Sequence, residues 1–193
     1  MWHKNGGMTF AKPHRTLPPL DRKRLEDMAL RYVGRYATTR AKLRTYLTRK
    51  LRDRGWDGAG EPDLEALAGR LAELGYIDDA AYAMSKAQAL SARGFGRRRL
   101  DEKLRHAGIG EEDGVAAREH AGAHAVDAAL RFAERRRIGP FASAIPDPKQ
   151  REKALAAMVR AGHPFGLARV IVGLGPGQQI DQEELREQSG LDP

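Results

Sequence analysis

The chain has 193 residues, no cysteine and a net charge of +8, with 34 lysines and arginines against 26 acidic residues. The lack of cysteine excludes disulfides, thiolate zinc sites and cysteine nucleophiles, and it fits a reducing compartment. The longest apolar run, 170–172, is far shorter than the ~20 residues that span a bilayer, and residues 1–20 hold no apolar run of signal-peptide length, so we expect a cytoplasmic protein with no membrane partner.

Three helices are predicted over residues 21–77, after a flexible basic tail over 1–20. The second helix should begin at Thr38-Thr39 and end at Gly55, and the third should begin at Asp63 and end at Gly75. The first helix is predicted to follow Asp21, because apolar residues recur at helical spacing at Leu25, Met28, Ala29, Tyr32, Val33 and Tyr36. Together these helices form a predicted unit.

The same plan recurs over 78–124 and over 125–174. The middle helix of each unit carries two apolar residues and a glycine, each four apart: Leu47, Leu51 and Gly55; Leu100, Leu104 and Gly108; Ala154, Met158 and Gly162. These glycines lie 53 and 54 residues apart. The pattern predicts an all-α fold of three tandem three-helix, helix-turn-helix-like repeats in an elongated curved array. We expect a monomer with an acidic flexible tail over 175–193.

Basic and acidic segments alternate along the chain. Residues 21–56 contain 12 lysines and arginines against 4 acidic residues, whereas 57–75 contain 5 acidic residues and one arginine. The alternation returns over 93–106, which is basic, and over 111–127, which is acidic. Because equivalent helices of stacked repeats share a side of the array, we predict one basic face for a polyanion, built from Arg40, Lys42, Arg44, Arg93, Arg97, Arg98, Arg99 and Lys103. The alternative is that each run is a solvated helix face with local pairing.

The turn Gly94-Phe95-Gly96 places three arginines, 97–99, at the start of a predicted helix. Free backbone amides at a helix start favour an anion, and guanidinium groups bind phosphates or carboxylates through two parallel hydrogen bonds. We therefore expect an anion to bind at this turn.

Enzymatic chemistry is not indicated. No P-loop is present, and no cofactor is implied. His120 and His124 beside Glu119 could share a metal that assists hydrolysis, but a third ligand is not evident and a solvated pair is the favoured interpretation. Asp78-Asp79 is better explained as a helix cap than as a metal-binding pair. We predict neither a metal site nor an enzyme.

Large apolar residues follow or flank glycines at helix ends and turns: Trp56, Tyr76, Phe95, Ile109 and Phe165. Such residues could stack on nucleic-acid bases. More often they seal a helix end against the core, and we predict the core role for most of them.

The combination of Leu-Gly-Tyr-Ile-Asp-Asp over 74–79 with Gly-Phe-Gly-Arg-Arg-Arg over 94–99 resembles the RecX family, and the similarity runs over about residues 25–172. The resemblance implies three tandem three-helix units and a modulator, most simply an inhibitor, of the RecA recombinase. Such a protein would lie in the groove of the RecA–DNA filament, restrain recombinase and co-protease activity, and act in DNA repair, homologous recombination and the SOS response. The alternative is a stand-alone helix-turn-helix-like protein that binds DNA or RNA.

Overall fold

The computed structural model describes residues 17–190, and ten α-helices lie within that range. The helices are α1 (Arg22–Val33), α2 (Arg40–Arg54), α3 (Leu64–Glu73), α4 (Asp79–Ala92), α5 (Arg97–Ala107), α6 (Glu111–Ala123), α7 (Ala125–Arg136), α8 (Pro148–Arg160), α9 (Phe165–Gly173) and α10 (Gln182–Ser189). A short 3-10 helix, Gly139–Phe141, lies between α7 and α8. Apart from one bridge between Leu20 and Trp56, the described residues contain no strand. The predicted all-α class is confirmed.

The predicted helix starts are confirmed where a side chain caps the helix. The side chains of Asp21, Thr39 and Asp63 each accept a hydrogen bond from the amide three residues further on, at 2.8, 3.1 and 2.9 Å. Each bond satisfies one of the amides that have no partner inside the helix. Local side-chain chemistry therefore sets where α1, α2 and α3 begin.

The first helix ends earlier than its apolar stripe predicts. α1 stops at Val33, and the N–H of Gly34 donates to the carbonyl of Leu30. The chain must then become extended so that Thr39 can cap α2. Tyr36 consequently lies in the connection between α1 and α2 and is 51% exposed, not buried on a helix face.

Three buried apolar clusters follow one another along the chain. The first is formed by residues from Leu20 to Ile77, the second by residues from Ala83 to Ala121, and the third by residues from Val126 to Leu185. The second cluster consists mostly of alanine, so α4 and α6 can approach closely. The clusters agree with the three predicted units, while the repeat boundaries and the curved array stay predictions.

Both expected tails need correction. Residues 175–193 were expected to be flexible, but α10 forms within 175–190 and buries Leu185 in the third cluster, while 191–193 lie outside the described residues. Asp181 caps this helix, and its last turn lies against Gly166. At the other end, Leu20 is fully buried and its N–H donates to the carbonyl of Gly55, so 17–20 is not part of a free tail. The rest of that predicted tail, 1–16, lies outside the described residues.

No helix between residues 17 and 190 is long and apolar enough to cross a membrane. This agrees with the sequence, whose apolar runs are short.

Candidate binding grooves and the joints between units

Arg40 is held between helices of the first and second units. Its backbone N–H donates to Oδ1 of Asp79 at 3.1 Å, its Nε to Oδ2 of Asp79 at 2.9 Å and its Nη2 to Asp113 at 2.6 Å. The side chain of Asp79 is 4% exposed, so the guanidinium neutralises a carboxylate that water cannot reach. The hydrogen bond to Asp79 raises the pKa of Arg40, although burial acts in the opposite direction. Arg40 therefore joins α2 to α4 and α6.

Lys42 and Arg44 also have partners inside the protein. Lys42 Nζ donates to the hydroxyl of Tyr82 and lies 4.6 Å from the centre of that ring. Arg44 forms an ion pair with Glu65 of α3. Each of these cations would have to share or leave its partner to bind a ligand, and their assignment to a basic face stays a prediction.

The contacts between the first two units form what we call the first joint. Thr39 Oγ1 donates to the carbonyl of Ala107 at the end of α5, at 2.6 Å. Gly108 directly follows, and a side chain there would collide with Ala41. Side-chain groups dominate this joint, whose members are Thr39, Arg40, Lys42, Asp79, Tyr82, Ala107 and Asp113.

The second joint links the second and third units, and here backbone groups meet. The N–H of Gly96 donates to Ala161 at 3.0 Å and the N–H of Arg98 donates to Gly162 at 3.2 Å, both to backbone carbonyls. His163 Nε2 bonds the carbonyl of Gly94 at 3.2 Å. The expectation that the start of α5 offers free amides to an anion is therefore wrong for Gly96 and Arg98, because the end of α8 already occupies them.

Burial changes the titration of the histidine in this joint. His163 is fully buried, and its Nδ1 has no hydrogen-bond partner among the described residues. Desolvation lowers the pKa of His163 from 6.5 to about 4, against the opposing effect of the hydrogen bond to Gly94. The ring is therefore neutral at physiological pH, with the proton on Nε2.

A groove of about 650 Å³ opens beside the second joint. Four arginines and one carboxylate contribute to its wall, and Arg99 pairs with that carboxylate, Glu102, at 2.8 Å. We call it the arginine groove; it is lined by Phe95, Arg98, Arg99, Glu102, Phe132, Arg136, Ala157, Val159, Arg160, Ala161 and Gly162. Its net positive charge suits an anionic ligand.

The remaining predicted cations lie elsewhere. Arg97 lines a separate pocket of about 350 Å³ together with Arg118 and the carboxylates Asp101 and Glu111, so its surroundings carry mixed charge. Lys103 is exposed on α5. The guanidinium of Arg93 lies 5.5 Å from the ring centre of Phe95. Of the eight predicted cations, the structure brings Arg98 and Arg99 together in the arginine groove.

A larger groove, of about 900 Å³, lies between α1, α2 and the end of α5. We call it the tyrosine groove; its lining is Arg31, Tyr32, Arg35, Tyr36, Lys42, Thr45, Tyr46, Arg49 and His106. None of these described lining residues is acidic. Sequence reasoning placed all three tyrosines, Tyr32, Tyr36 and Tyr46, on apolar helix stripes and selected only Lys42 from this set for the basic face. The signal it missed is the spacing of seven residues that turns Lys42 and Arg49 to the same side of α2, whereas Arg35 lies in the turn after α1 and no helical spacing could have found it.

Comparison with known proteins identifies the family. The chain is 38% identical to "Regulatory protein RecX" of Myxococcus xanthus over 164 residues, which are 79% of this chain and 86% of that protein. It belongs to the RecX family. A second RecX, from Agrobacterium fabrum, is 28% identical over 77% of this chain and 81% of its own length. A scan against protein-family models gave no match.

A solved RecX structure shares the fold. The crystal structure titled "Crystal structure of regulatory protein RecX" superposes with a TM-score of 0.55 at 21% identity, covering 78% of this chain and 70% of that one. The resemblance to RecX deduced from the motifs is confirmed.

The structure explains the motif over 74–79 that first suggested RecX. Ile77 is buried in the first cluster, and Asp78 caps α4 by accepting from the amide of Ala81 at 2.7 Å. Asp79 was expected to cap as well, but its carboxylate instead accepts from the backbone and side chain of Arg40. Of the two adjacent aspartates, Asp78 thus caps the start of α4, and Asp79 holds the start of α2 through Arg40.

The core role predicted for most of the large apolar residues near glycines fits three of the five. Ile109 is buried, and Trp56 and Phe95 pack partly against apolar clusters. Tyr76 and Phe165, however, are 55% and 58% exposed, so the predicted core role is wrong for these two.

The histidine pair of this RecX protein has no metal-binding surroundings. The rings of His120 and His124 stack with centres 4.2 Å apart, and Nδ1 of His124 lies 2.9 Å from the carbonyl oxygen of His120. Desolvation, together with the charge of His124, lowers the pKa of His120. Within residues 17–190, no group of three or more possible ligands could hold a metal ion. The hypothesis of metal-assisted hydrolysis at Glu119, His120 and His124 therefore lacks a third ligand.

Proposed function

We propose that this RecX-family chain binds the RecA–DNA filament and restrains the recombinase and co-protease activities of RecA. Membership of the family supports the regulatory role. The net charge of +8 supports a polyanionic target, since a filament on DNA carries phosphates and acidic protein surface. The protein would act by occupying the filament, as a monomer in the cytoplasm, without covalent chemistry, cofactor or metal.

The arginine groove is the observation that carries this proposal. Arg98, Arg99, Arg136 and Arg160 lie around one cavity with a single carboxylate in its described lining. Guanidinium groups bind carboxylates and phosphates through paired hydrogen bonds, which fix orientation as well as charge. The groove therefore suits an ordered anionic surface.

The second joint holds this groove in shape. Backbone hydrogen bonds from the start of α5 to Ala161 and Gly162 fix the helix that carries Arg98 and Arg99 against α8. A site on helices that are already fixed loses little entropy when it binds. Such a rigid surface can stay on a filament and hinder its extension.

An ATPase assay of RecA on single-stranded DNA tests the proposal. We expect inhibition when the chain is added at a stoichiometric ratio to RecA. To reach the same inhibition, roughly tenfold more of the double variant Arg98→Ala with Arg136→Ala should be needed, which corresponds to a loss of about 1.4 kcal/mol in binding free energy. The matched control, Lys23→Ala with Arg52→Ala, removes two exposed charges outside the groove and should inhibit like the unmodified chain. Absence of inhibition by the unmodified chain would contradict the proposal.

The stand-alone nucleic-acid-binding protein is the rival function. Titration of DNA with and without RecA separates the two. Tight, salt-sensitive binding to naked DNA, with no preference for the filament, favours the rival, whereas a clear preference for RecA-coated DNA favours the regulator.

A further inference from the structure

The tyrosine groove is lined by two kinds of group, cationic side chains and aromatic rings. Arg31, Arg35, Lys42 and Arg49 supply positive charge, and His106 adds a further ring nitrogen. Three tyrosines lie among them. A ligand that satisfied both sets would need negative charge along its length and flat rings between the charges.

The aromatic rings are already arranged as a platform. Tyr32 stacks on Tyr46 with ring centres 4.2 Å apart and planes inclined by 16°. The ring of Tyr36 packs at a tilt against that of Tyr32, with ring centres 5.4 Å apart, and Tyr36 remains half exposed. Its position after the end of α1 places it at the open edge of the stack, where a further ring could be added.

Cations lie beside the same rings. The guanidinium of Arg35 is 5.6 Å from the centre of Tyr36, and Lys50 Nζ is 5.7 Å from the centre of Tyr46. Lys42 is held over Tyr82 at the inner side of the groove. Positive charge therefore lies beside both outer rings of the tyrosine stack, Tyr36 and Tyr46, and the described lining contains no carboxylate to compete with a phosphate.

We propose that the tyrosine groove binds single-stranded nucleic acid, with an unpaired base against Tyr36 and the adjoining phosphates on Arg35, Arg49 and Arg31. Stacking on an aromatic side chain accepts any base, and a positively charged groove follows the backbone. A duplex is a poorer ligand because its bases are already stacked on one another. An acidic peptide is also poorer, since it would pair with the cations and leave the rings unused.

This site lies outside the arginine groove, and the inference does not rest on RecA binding. It assigns a direct nucleic-acid contact to the first unit. Its test uses naked oligonucleotides, so its failure and the failure of the RecA proposal can be told apart.

The experiment measures binding of the full chain to a fluorescently labelled oligothymidine strand and to a duplex of equal length, by anisotropy. The unmodified chain should bind the single strand more tightly than the duplex. Tyr36→Ala should weaken binding to the single strand roughly tenfold, because it removes the ring on which one base stacks, and it should change duplex binding little. Tyr36→Phe keeps the ring and should bind like the unmodified chain.

Tyr76→Ala is the matched control, since Tyr76 is exposed to a similar extent but lies outside the groove. It should leave binding unchanged. Arg49→Ala should reduce the dependence of log affinity on log salt concentration by about 0.7, the value for one phosphate contact on a single strand. Arg52→Ala, which removes the same charge elsewhere, should leave that slope unchanged.

Three results would overturn the inference: no detectable binding to the single strand, equal losses for Tyr36→Ala and Tyr76→Ala, or unchanged binding by Tyr36→Ala. If polyglutamate displaced the strand and Tyr36→Ala bound as tightly as the unmodified chain, the groove would be a site for acidic protein instead. Circular dichroism spectra of the variants confirm that the helices are intact.

Discussion

The two joints occupy corresponding places in the three predicted units but use different chemical groups. In each, the turn before a middle helix lies against the end of the next unit's middle helix: Thr39 on Ala107 in the first joint, and Gly96 on Ala161 in the second. The first joint is made by side chains, through Arg40 and its two carboxylates. The second is made by backbone groups that come together where glycine leaves room.

The difference shows that one packing arrangement can be stabilised in two ways. A side-chain joint depends on charge and tolerates some adjustment, because long side chains can move. A backbone joint depends on close approach, and a single added carbon can open it. The two joints should therefore fail for different reasons when they are perturbed.

The largest effect is expected from Gly96→Ala in the second joint. A Cβ at this position would lie 2.6 Å from the backbone nitrogen of His163 and closer still to the carbonyl of Gly162. Backbone atoms cannot move aside cheaply, so we expect a loss of about 3 kcal/mol or more in the free energy of unfolding, measured by urea denaturation. Gly122→Ala is the matched control, because nothing lies within 4 Å of the added carbon. In the helix α6 it should stabilise by up to about 1 kcal/mol.

The second-largest effect is expected from acidification, which should weaken the second joint. The unfolded chain protonates His163 near pH 6.5, whereas the folded chain does so only near the lowered pKa of about 4. The unfolded state binds more protons between these values, so stability falls as pH decreases through this window, by at most roughly 3 kcal/mol. Urea denaturation at pH 7.5 and at pH 5 gives the loss of stability on acidification. The difference in this loss between the unmodified chain and His163→Gln measures the contribution of His163. An equal loss in both proteins would contradict the prediction.

A smaller effect is expected from Arg40→Ala in the first joint. The substitution leaves Asp79 buried without its cation, and we expect a loss of about 2 kcal/mol in unfolding free energy, since the pair is partly exposed. Arg44→Ala is the matched control, because its ion pair with Glu65 is solvent-accessible and should contribute less than about 1 kcal/mol. The double variant Arg40→Ala with Asp79→Asn should recover part of the loss. No recovery would show that the charge on Asp79 is not the cause.

Local signals in the sequence predict much of this fold. The caps at Asp21, Thr39 and Asp63 act within three residues of themselves, so each helix start could be located without any tertiary information. The regular spacing of Gly55, Gly108 and Gly162 predicted the middle helix of each unit. The helix α10 was not found in this way, because its one buried apolar residue, Leu185, gains its environment from α9 and α7.

The candidate sites were less predictable, because they depend on distant pairings. Arg40 looks like an ordinary cation on a basic helix, yet its partner Asp113 is 73 residues further on. Tyr36 continues a helical apolar pattern, but the turn that serves Thr39 removes it from the helix. Sequence pattern identified which segments are basic, while the tertiary contacts determined which cations retain no internal partner.

The start of α8 is capped differently from the starts of α2 and α5, and the difference affects how the molecule could be lengthened. Asp147 and Gln150 form a reciprocal capping box, and Pro148 occupies the first turn, so this helix satisfies its own amides. At the opposite end, beyond α2, the N–H of Leu20 donates to the carbonyl of Gly55 and the N–H of Asp57 donates to the carbonyl of Leu20. Among the described residues, the start of α8 and the end of α2 thus already have hydrogen-bond partners, and a further helical unit added at either place would have to displace them. We expect that an engineer who wished to lengthen the molecule would do better to insert a new unit between these two places and leave their hydrogen bonds intact.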